Sequence, residues 1–537
     1  MKIVLLALRT PLLAALVTVG ALGTGSSALA QDAGLARLGK VDFKVECSAE
    51  AQQQFNHAMT LYHSFAWAAA AGAFEAVAKT DPACGMAHWG RAMTMLDNPF
   101  VWPANLPPEK LGRVAEALEA ARSAGLKSER EKGYVEAVAA FVRDHDKVDH
   151  RTRVKAFEDA LGKVAAADPE DTEAAIFHAL VTSANFDAAD KGYGNQLRAA
   201  KILEPLFKAQ PDHPGVAHYM IHTFDYPPIA GHGVEAARRY AAIAPDAPHA
   251  LHMPSHIFTR LGLWRESIDS NRASAKAAGD GSFDGHHATD YMVYAHLQLA
   301  QDAAARQSME QSLAMNAIDH FGAAYAYAAM PARLALERDD WAAAAKVALP
   351  TAEGYPWQKY PQAEAANALA RGIGAARGGD PAAAREQQAR LVALRDAAKH
   401  PYWIGQIEIQ AEVVGALALC AEGKAQECIE ALGAAAARED ATEKHVVTPG
   451  PILPTRELLA DTLLASGKAG EALAQYEAVL AKEPNRYRAI AGAMQAARDV
   501  GDNEKARAHA DALVRQAANA DSERPSLADA RRLVAGN

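Results

Sequence analysis

The 537-residue chain is poor in aromatic residues (7%), has only four cysteines, and lacks any excess of basic charge. Lys and Arg number 55 against 65 Asp and Glu, for a formal net charge of −10. Without a basic stripe to neutralise phosphates, a nucleic-acid binder is excluded. Disorder is excluded too, because half of the residues are apolar and no large charge imbalance opposes collapse. After residue 30 no window approaches eighteen apolar residues without a charge or a turn former, so the mature chain should hold no membrane span. Strict strand alternation is missing after residue 45. There is no HExxH, P-loop, GxSxG or haem-attaching CxxCH, which removes the chemistries that those spacings serve. The segment 280–285 opens like a calcium loop, but Tyr291 stands where a bidentate glutamate is needed.

What is present begins with an export signal. Lys2 and Arg9 precede an apolar stretch over 11–22, and Ala28-Leu29-Ala30 offers the small residues of a cleavage site. Residues 1–30 are therefore expected to be removed, leaving 31–45 as a leader and a periplasmic or secreted protein. Cys47, Cys84, Cys420 and Cys428 suit an oxidising compartment. Two lie near the front and two near the back, without metal-type spacing. Three pairings are possible; the positions suggest two local bridges, Cys47 with Cys84 across one helical hairpin and Cys420 with Cys428 across a turn, the alternative being free buried thiols.

Helical periodicity dominates the rest, with alanine on most faces. Positions recur at a spacing of 34: Gly467 and Gly501, Ala472 and Ala506, Ala58 and Ala92. Phe55-Asn56-His57-Ala58, Leu61, Ala70, Phe74 and Asp81-Pro82 follow a small-large pattern, as do Ala460, Leu463, Gly467, Ala472, Tyr476 and Glu483-Pro484. In these residues the chain resembles the tetratricopeptide repeat family. It also resembles a group of exported bacterial repeat proteins with an HALHMPSHIF-like segment, here His249 to Phe258. The resemblance implies an all-α fold, an α-solenoid in which helical hairpins stack into a right-handed superhelix. The expected organisation is a superhelix over 46–349, degenerate repeats with long loops over 350–454, a repeat pair over 455–520 and a tail over 521–537. Long loops are expected at 99–108, 185–196, 279–285, 350–361 and 440–454. The aromatic stretch Tyr355-Pro356-Trp357-Gln358-Lys359-Tyr360 reads equally as a lid on the groove or as an outer connector.

Histidine is concentrated. The 44 positions 213–256 hold seven of the 20 histidines, where an even spread gives about 1.6. His218, His222 and Asp225 stand at i, i+4, i+7, and His249, His252 and His256 at i, i+3, i+7, so each set shares one helical face. The resemblance implies that repeat positions 2, 5, 9, 12 and 13 face the groove. His218, His222 and Asp225 then take 5, 9 and 12; His249, His252 and His256 take 2, 5 and 9; His287 and Asp290 take 2 and 5 of the next unit. Helix axes roughly 8–10 Å apart let such rings converge. Pro254 should kink its helix and aim His252 and His256 differently. His57 and His178, at interior repeat positions, are expected to be core residues, while His63, Tyr62 and Asp97 face the groove in the first units.

Neutral imidazoles with carboxylates suit zinc, copper, iron or manganese. Six histidines exceed one mononuclear shell, so some hold others in place or two ions bind. The first functional reading is a scaffold whose groove holds a metal ion or small polar ligand on His218, His222, Asp225, His249, His252, His256, His287 and Asp290. The alternative is a metal-dependent hydrolytic or oxidative enzyme with Asp225 or Asp290 as base. A third is an interaction module that takes a protein or peptide partner along the groove.

Overall fold

The computed structural model describes residues 37–102, 106–350 and 354–536. The expected export signal, residues 1–30, and the first part of the expected leader, residues 31–36, lie outside the described residues. Every regular element among the described residues is helical. The N-terminal half contains α1 (Ala49–His63), α2 (Trp67–Thr80), α3 (Gly85–Leu96), α4 (Pro108–Ala124), α5 (Glu129–Val142), α6 (His150–Ala167), α7 (Thr172–Ala184) and α8 (Gly194–Ala209). The centre contains α9 (Pro214–Phe224), α10 (Val234–Ile243), α11 (Pro248–His252), α12 (Pro254–Arg260), α13 (Trp264–Ala278), α14 (Phe283–Gln298), α15 (Asp302–Ala314), α16 (Phe321–Leu336) and the short α17 (Trp341–Ala344). The C-terminal half contains α18 (Pro361–Arg377), α19 (Pro381–Ala397), α20 (Pro401–Ala421), α21 (Ala425–Asp440), α22 (Thr455–Ala465), α23 (Ala469–Lys482), α24 (Tyr487–Asp499), α25 (Asn503–Gln516) and α26 (Pro525–Ala535). Successive helices pack on one another, giving an α-solenoid of hairpins.

Local chemistry sets the helix boundaries. The side chains of Ser48, Ser128, Asp149, Asp171, Ser282, Asp380 and Asp502 each accept an N–H of the following first turn. Gly467 and Gly501 adopt φ of +75° and +82° in the equivalent turns of two adjacent repeats, a conformation that glycine takes without strain. Small residues allow close packing between hairpin helices. A Cβ on Gly90 would lie 2.3 Å from the Phe74 ring, and one on Gly492 would lie 2.2 Å from the Tyr476 ring. The same large-into-small contact thus recurs at both ends of the chain. Disulfides join Cys47 to Cys84 and Cys420 to Cys428. The expected core role of His57 fails, because its side chain lies on an exposed face of α1, and His178 is only half-buried.

The solenoid curls back on itself at both ends. At the front, α1 meets α9: the Tyr219 hydroxyl lies 2.8 Å from His63 Nδ1, and His218 Nδ1 lies 2.7 Å from the His63 carbonyl. At the back, Trp264 Nε1–H donates to the Asn485 carbonyl (2.8 Å) and Gln516 Nε2 donates to the Gln298 carbonyl (2.6 Å). Arg486, fully buried at the N-cap of α24, bonds Glu457 of α22 and the Tyr294 hydroxyl of α14 and forms an ion pair with Glu337 at the end of α16. Such a cation is held in the interior only because its carboxylate partners are buried with it. Closure brings the loop 441–454 into the concave face, where Tyr291 bonds the Val446 and Thr448 carbonyls. Arg333 there bonds Thr448 Oγ1 and the Gly450 and Pro451 carbonyls.

Among the described helices, α20 alone has the length and apolarity to cross a membrane. It carries Glu408 and Glu412 and packs between α19 and α21, as an inner helix of the stack does. The aromatic residues 355–360 lie against the connector before α16, with the Tyr355 hydroxyl on the Ile318 carbonyl and Tyr360 on Asp319.

Candidate metal centre

Three inner helical segments, α9, α11–α12 and α14, carry the histidines predicted to converge, and six of them do. One ring nitrogen each from His218, His222 and His249 lies within 4.8 Å of the others, and the same holds for His252, His256 and His287. In the first set, His218 Nε2 and His249 Nε2 are 3.1 Å apart; in the second, His252 Nε2 and His256 Nε2 are 3.0 Å apart. The sets are neighbours, with ring centroids of His222 and His256 separated by 6.1 Å and those of His249 and His252 by 6.3 Å. Five of the rings are buried and His249 is half-buried. The helix is interrupted at Met253, just before Pro254, so His252 and His256 meet edge to face at 83°.

Aromatic rings fix the imidazoles from outside. Phe100 stacks on His222 (4.1 Å, 15°), Phe283 on His287 (5.2 Å, 13°) and Tyr240 on His218 (5.1 Å, 15°). Phe65, held at φ +55° after α1, stacks on His249. Burial, reinforced by neighbouring imidazoles, depresses the pKa values of His218, His222, His249, His252 and His287 well below that of a free ring. Burial lowers His256 as well, against the pull of Asp225. These rings are therefore neutral near pH 7.

Outer partners determine the tautomers. His256 Nδ1–H donates to Asp225 Oδ2 (2.9 Å). Asn271 Nδ2 donates to the Ser267 carbonyl, so its Oδ1 is the atom facing His252 Nδ1 at 2.7 Å and must accept. His218 Nδ1–H donates to the His63 carbonyl. In each of these rings the Nε2 lone pair is then turned toward the centre, the arrangement that outer hydrogen bonds impose on metal-binding histidines. His222 Nε2 and His287 Nδ1 are buried without a hydrogen-bond partner among the described residues.

Asp225 occupies the tier behind His256. It also accepts from Arg260 Nε (2.8 Å) and Lys444 Nζ (2.8 Å), the latter on the 441–454 loop. Burial opposes its ionisation, but Lys444, Arg260 and His256 hold its pKa well below the usual carboxylate range. Burial pushes Lys444 down to about 8 despite Asp225. Asp290 joins neither histidine set; its Oδ1 lies on Arg333 Nε (3.3 Å) and its Oδ2 is buried without a hydrogen-bond partner among the described residues. Burial raises its pKa to about 6, opposed by Arg333.

Other histidines have separate places. His213 and His63 both bond the buried Glu173, at 2.8 and 3.1 Å. His213 Nδ1 accepts from the Val216 N–H and His63 Nδ1 meets the Tyr219 hydroxyl, so every ring nitrogen there has a protein partner. Burial favours neutral Glu173, but the two imidazoles keep it ionised. This triad is a satisfied hydrogen-bond network. His232 is exposed, and His286 faces Ser312 (2.8 Å). Sequence reasoning missed Asn271, Arg260, Lys444 and the stacking phenylalanines. Arg260 could have been found, one turn beyond His256; nothing in the sequence signals Lys444, 219 residues from Asp225.

No family model matches the chain, and no curated relative does. Among solved structures it is similar to the APC/C hetero-tetramer Cut9–Hcn1, at 12% identity over 85% of this chain and 77% of that one, with a TM-score of 0.34. It is also similar to the P58(IPK) TPR domain (12% identity, 85% of this chain and all of that one, TM-score 0.22). A third similarity is to Naa15/Naa10 bound to HypK-THB (10% identity, 90% and 80% coverage, TM-score 0.25).

Proposed function

We propose that the chain is an exported metal-binding repeat protein whose curled solenoid holds a first-row transition metal on the histidine cluster. The observation that carries this reading is the pair His252 and His256. Both have Nδ1–H committed to an acceptor, so two Nε2 lone pairs confront each other at 3.0 Å. Two facing acceptors repel unless a cation lies between them. A proton there would create a buried imidazolium in a region that already holds Lys444 and Arg260. A metal ion with bonds of about 2.0–2.1 Å to tetrahedral ligands sets its nitrogens roughly 3.3 Å apart, close to the spacing found. Imidazole ligation suits zinc, copper, iron or manganese. The untagged chain, purified from an exported fraction, should carry at least one such ion by elemental analysis and lose it in His252→Ala and His256→Ala. Substoichiometric metal unchanged by those substitutions would sink the reading.

A second reading, a metal-dependent enzyme at the same cluster, is favoured by one feature. Three histidines per ion leave a coordination position for a substrate or solvent molecule. Asp225, committed to two cations and His256, is poorly placed to accept another proton. A protein partner along the groove is a further reading, but at this site the concave face already holds residues 444–451.

A further inference from the structure

The histidine cluster divides in a way that a single ion does not explain. Six ring nitrogens exceed the four positions of a tetrahedral ion, and they fall into two sets of three, each closed within 4.8 Å. The close Nε2 pairs, His218 with His249 and His252 with His256, belong one to each set. The division lies in the ring nitrogens, which close into two separate triads; the rings themselves are neighbours, with centroids of His222 and His256 6.1 Å apart and of His249 and His252 6.3 Å apart, near enough for two ions to be adjacent. The sets also differ in depth. His252, His256 and His287 are all buried, whereas His249 in the other set is half-buried.

Charge adds a second constraint. All six imidazoles are neutral ligands, and neither set contains a carboxylate. The carboxylate bonded to the cluster, Asp225, is already matched by Arg260 and Lys444. Two dications in this interior would carry charge that no protein group offsets, and buried charge without a partner is strongly disfavoured. An anion from solution must supply the compensation, and each three-histidine ion has a position for one.

Resting on the metal-binding reading above, we propose that the site is a pair of metal ions, one on His252, His256 and His287 and one on His218, His222 and His249. A small inorganic anion is taken up between them. The inner ion is retained and the outer one exchanges through the side of His249.

Cobalt(II) is the test ion, because its visible absorption reports coordination, and azide is the test anion. The untagged full-length chain, stripped with chelator, should bind two Co(II) per chain in two steps. His249→Gln and His218→Gln should each bind one, with unchanged circular dichroism; His287→Gln should retain only the outer ion. Azide should alter the absorption of the two-cobalt form at one anion per pair. A wild-type chain that binds a single Co(II), lost in His252→Gln but kept in His249→Gln, overturns the pair and leaves the metal-binding reading intact. Two bound ions whose spectrum azide leaves unchanged overturn the anion site. No Co(II) binding at all overturns both readings.

Discussion

Asp225→Asn tests whether closure of the solenoid and the histidine site depend on one carboxylate. Asp225 is 6% exposed and accepts from His256, Arg260 and Lys444 at 2.8–2.9 Å. The amide keeps the size but loses the charge and one acceptor, leaving two cations buried against a neutral group. Breaking a buried pair in this way costs about 3–5 kcal/mol. Most of that loss falls on the 441–454 loop, because Lys444 can regain water only by leaving the groove. Lys444 is 4% exposed at its side chain, so trypsin cleaves after it only from the open state. When closing outpaces cleavage, the rate follows the open population, and about 3–5 kcal/mol corresponds to a rise of about 10²-fold to more than 10³-fold. The assay is limited trypsin digestion of intact wild-type and Asp225→Asn chains, with the cut after Lys444 identified by mass spectrometry. Loss of the bond to His256 should also weaken metal retention by about 10–100-fold. A cleavage rate within threefold of wild type would refute the idea that this buried cluster holds the loop in place.

Other expectations follow from the repeat packing and from buried groups. Gly90→Ala puts a methyl group 2.3–2.6 Å from the Phe74 ring and should destabilise the first hairpins by about 1–3 kcal/mol; an unshifted thermal melt would contradict the close-packing account. Removing the Cys47–Cys84 bridge, which spans 37 residues, should cost the front of the solenoid about 4 kcal/mol on a loop-entropy basis. Hydrogen exchange in α1 and α2 should report that loss before the C-terminal half changes. Glu439, bonded to Thr455, has its pKa raised by burial to about 7. Its contribution is complete below the unfolded value near 4.5 and is lost as pH rises through 7. Glu439→Gln should therefore be more stable than wild type at pH 8 but not at pH 4.5, as read by denaturant melts; a constant difference would rule this out.

Much of the fold was legible because its causes are local. Alanine-rich helical periodicity, Ser and Asp caps and the 34-residue recurrence of Gly467 and Gly501 are properties of neighbouring residues, and a stack of hairpins follows from them. The histidines were legible for the same reason, since spacings of three, four and seven put them on shared faces of successive inner helices. His57 was misread because its repeat position does not by itself say which side of α1 is covered.

What the sequence by itself determined is the all-helical repeat and the six histidines that meet; it suggested the two local disulfides, which the structure pairs as Cys47–Cys84 and Cys420–Cys428. The tertiary structure alone decided that the solenoid closes, that the 441–454 loop rather than the aromatic stretch 355–360 enters the concave face, and that Lys444 and Arg260 take up Asp225. It also left Asp290 outside both histidine sets and paired it with Arg333. These outcomes depend on curvature summed over many hairpins and on ion pairs between residues some two hundred positions apart. Burial and electrostatics select such partners only once the chain has folded, and no local pattern records them.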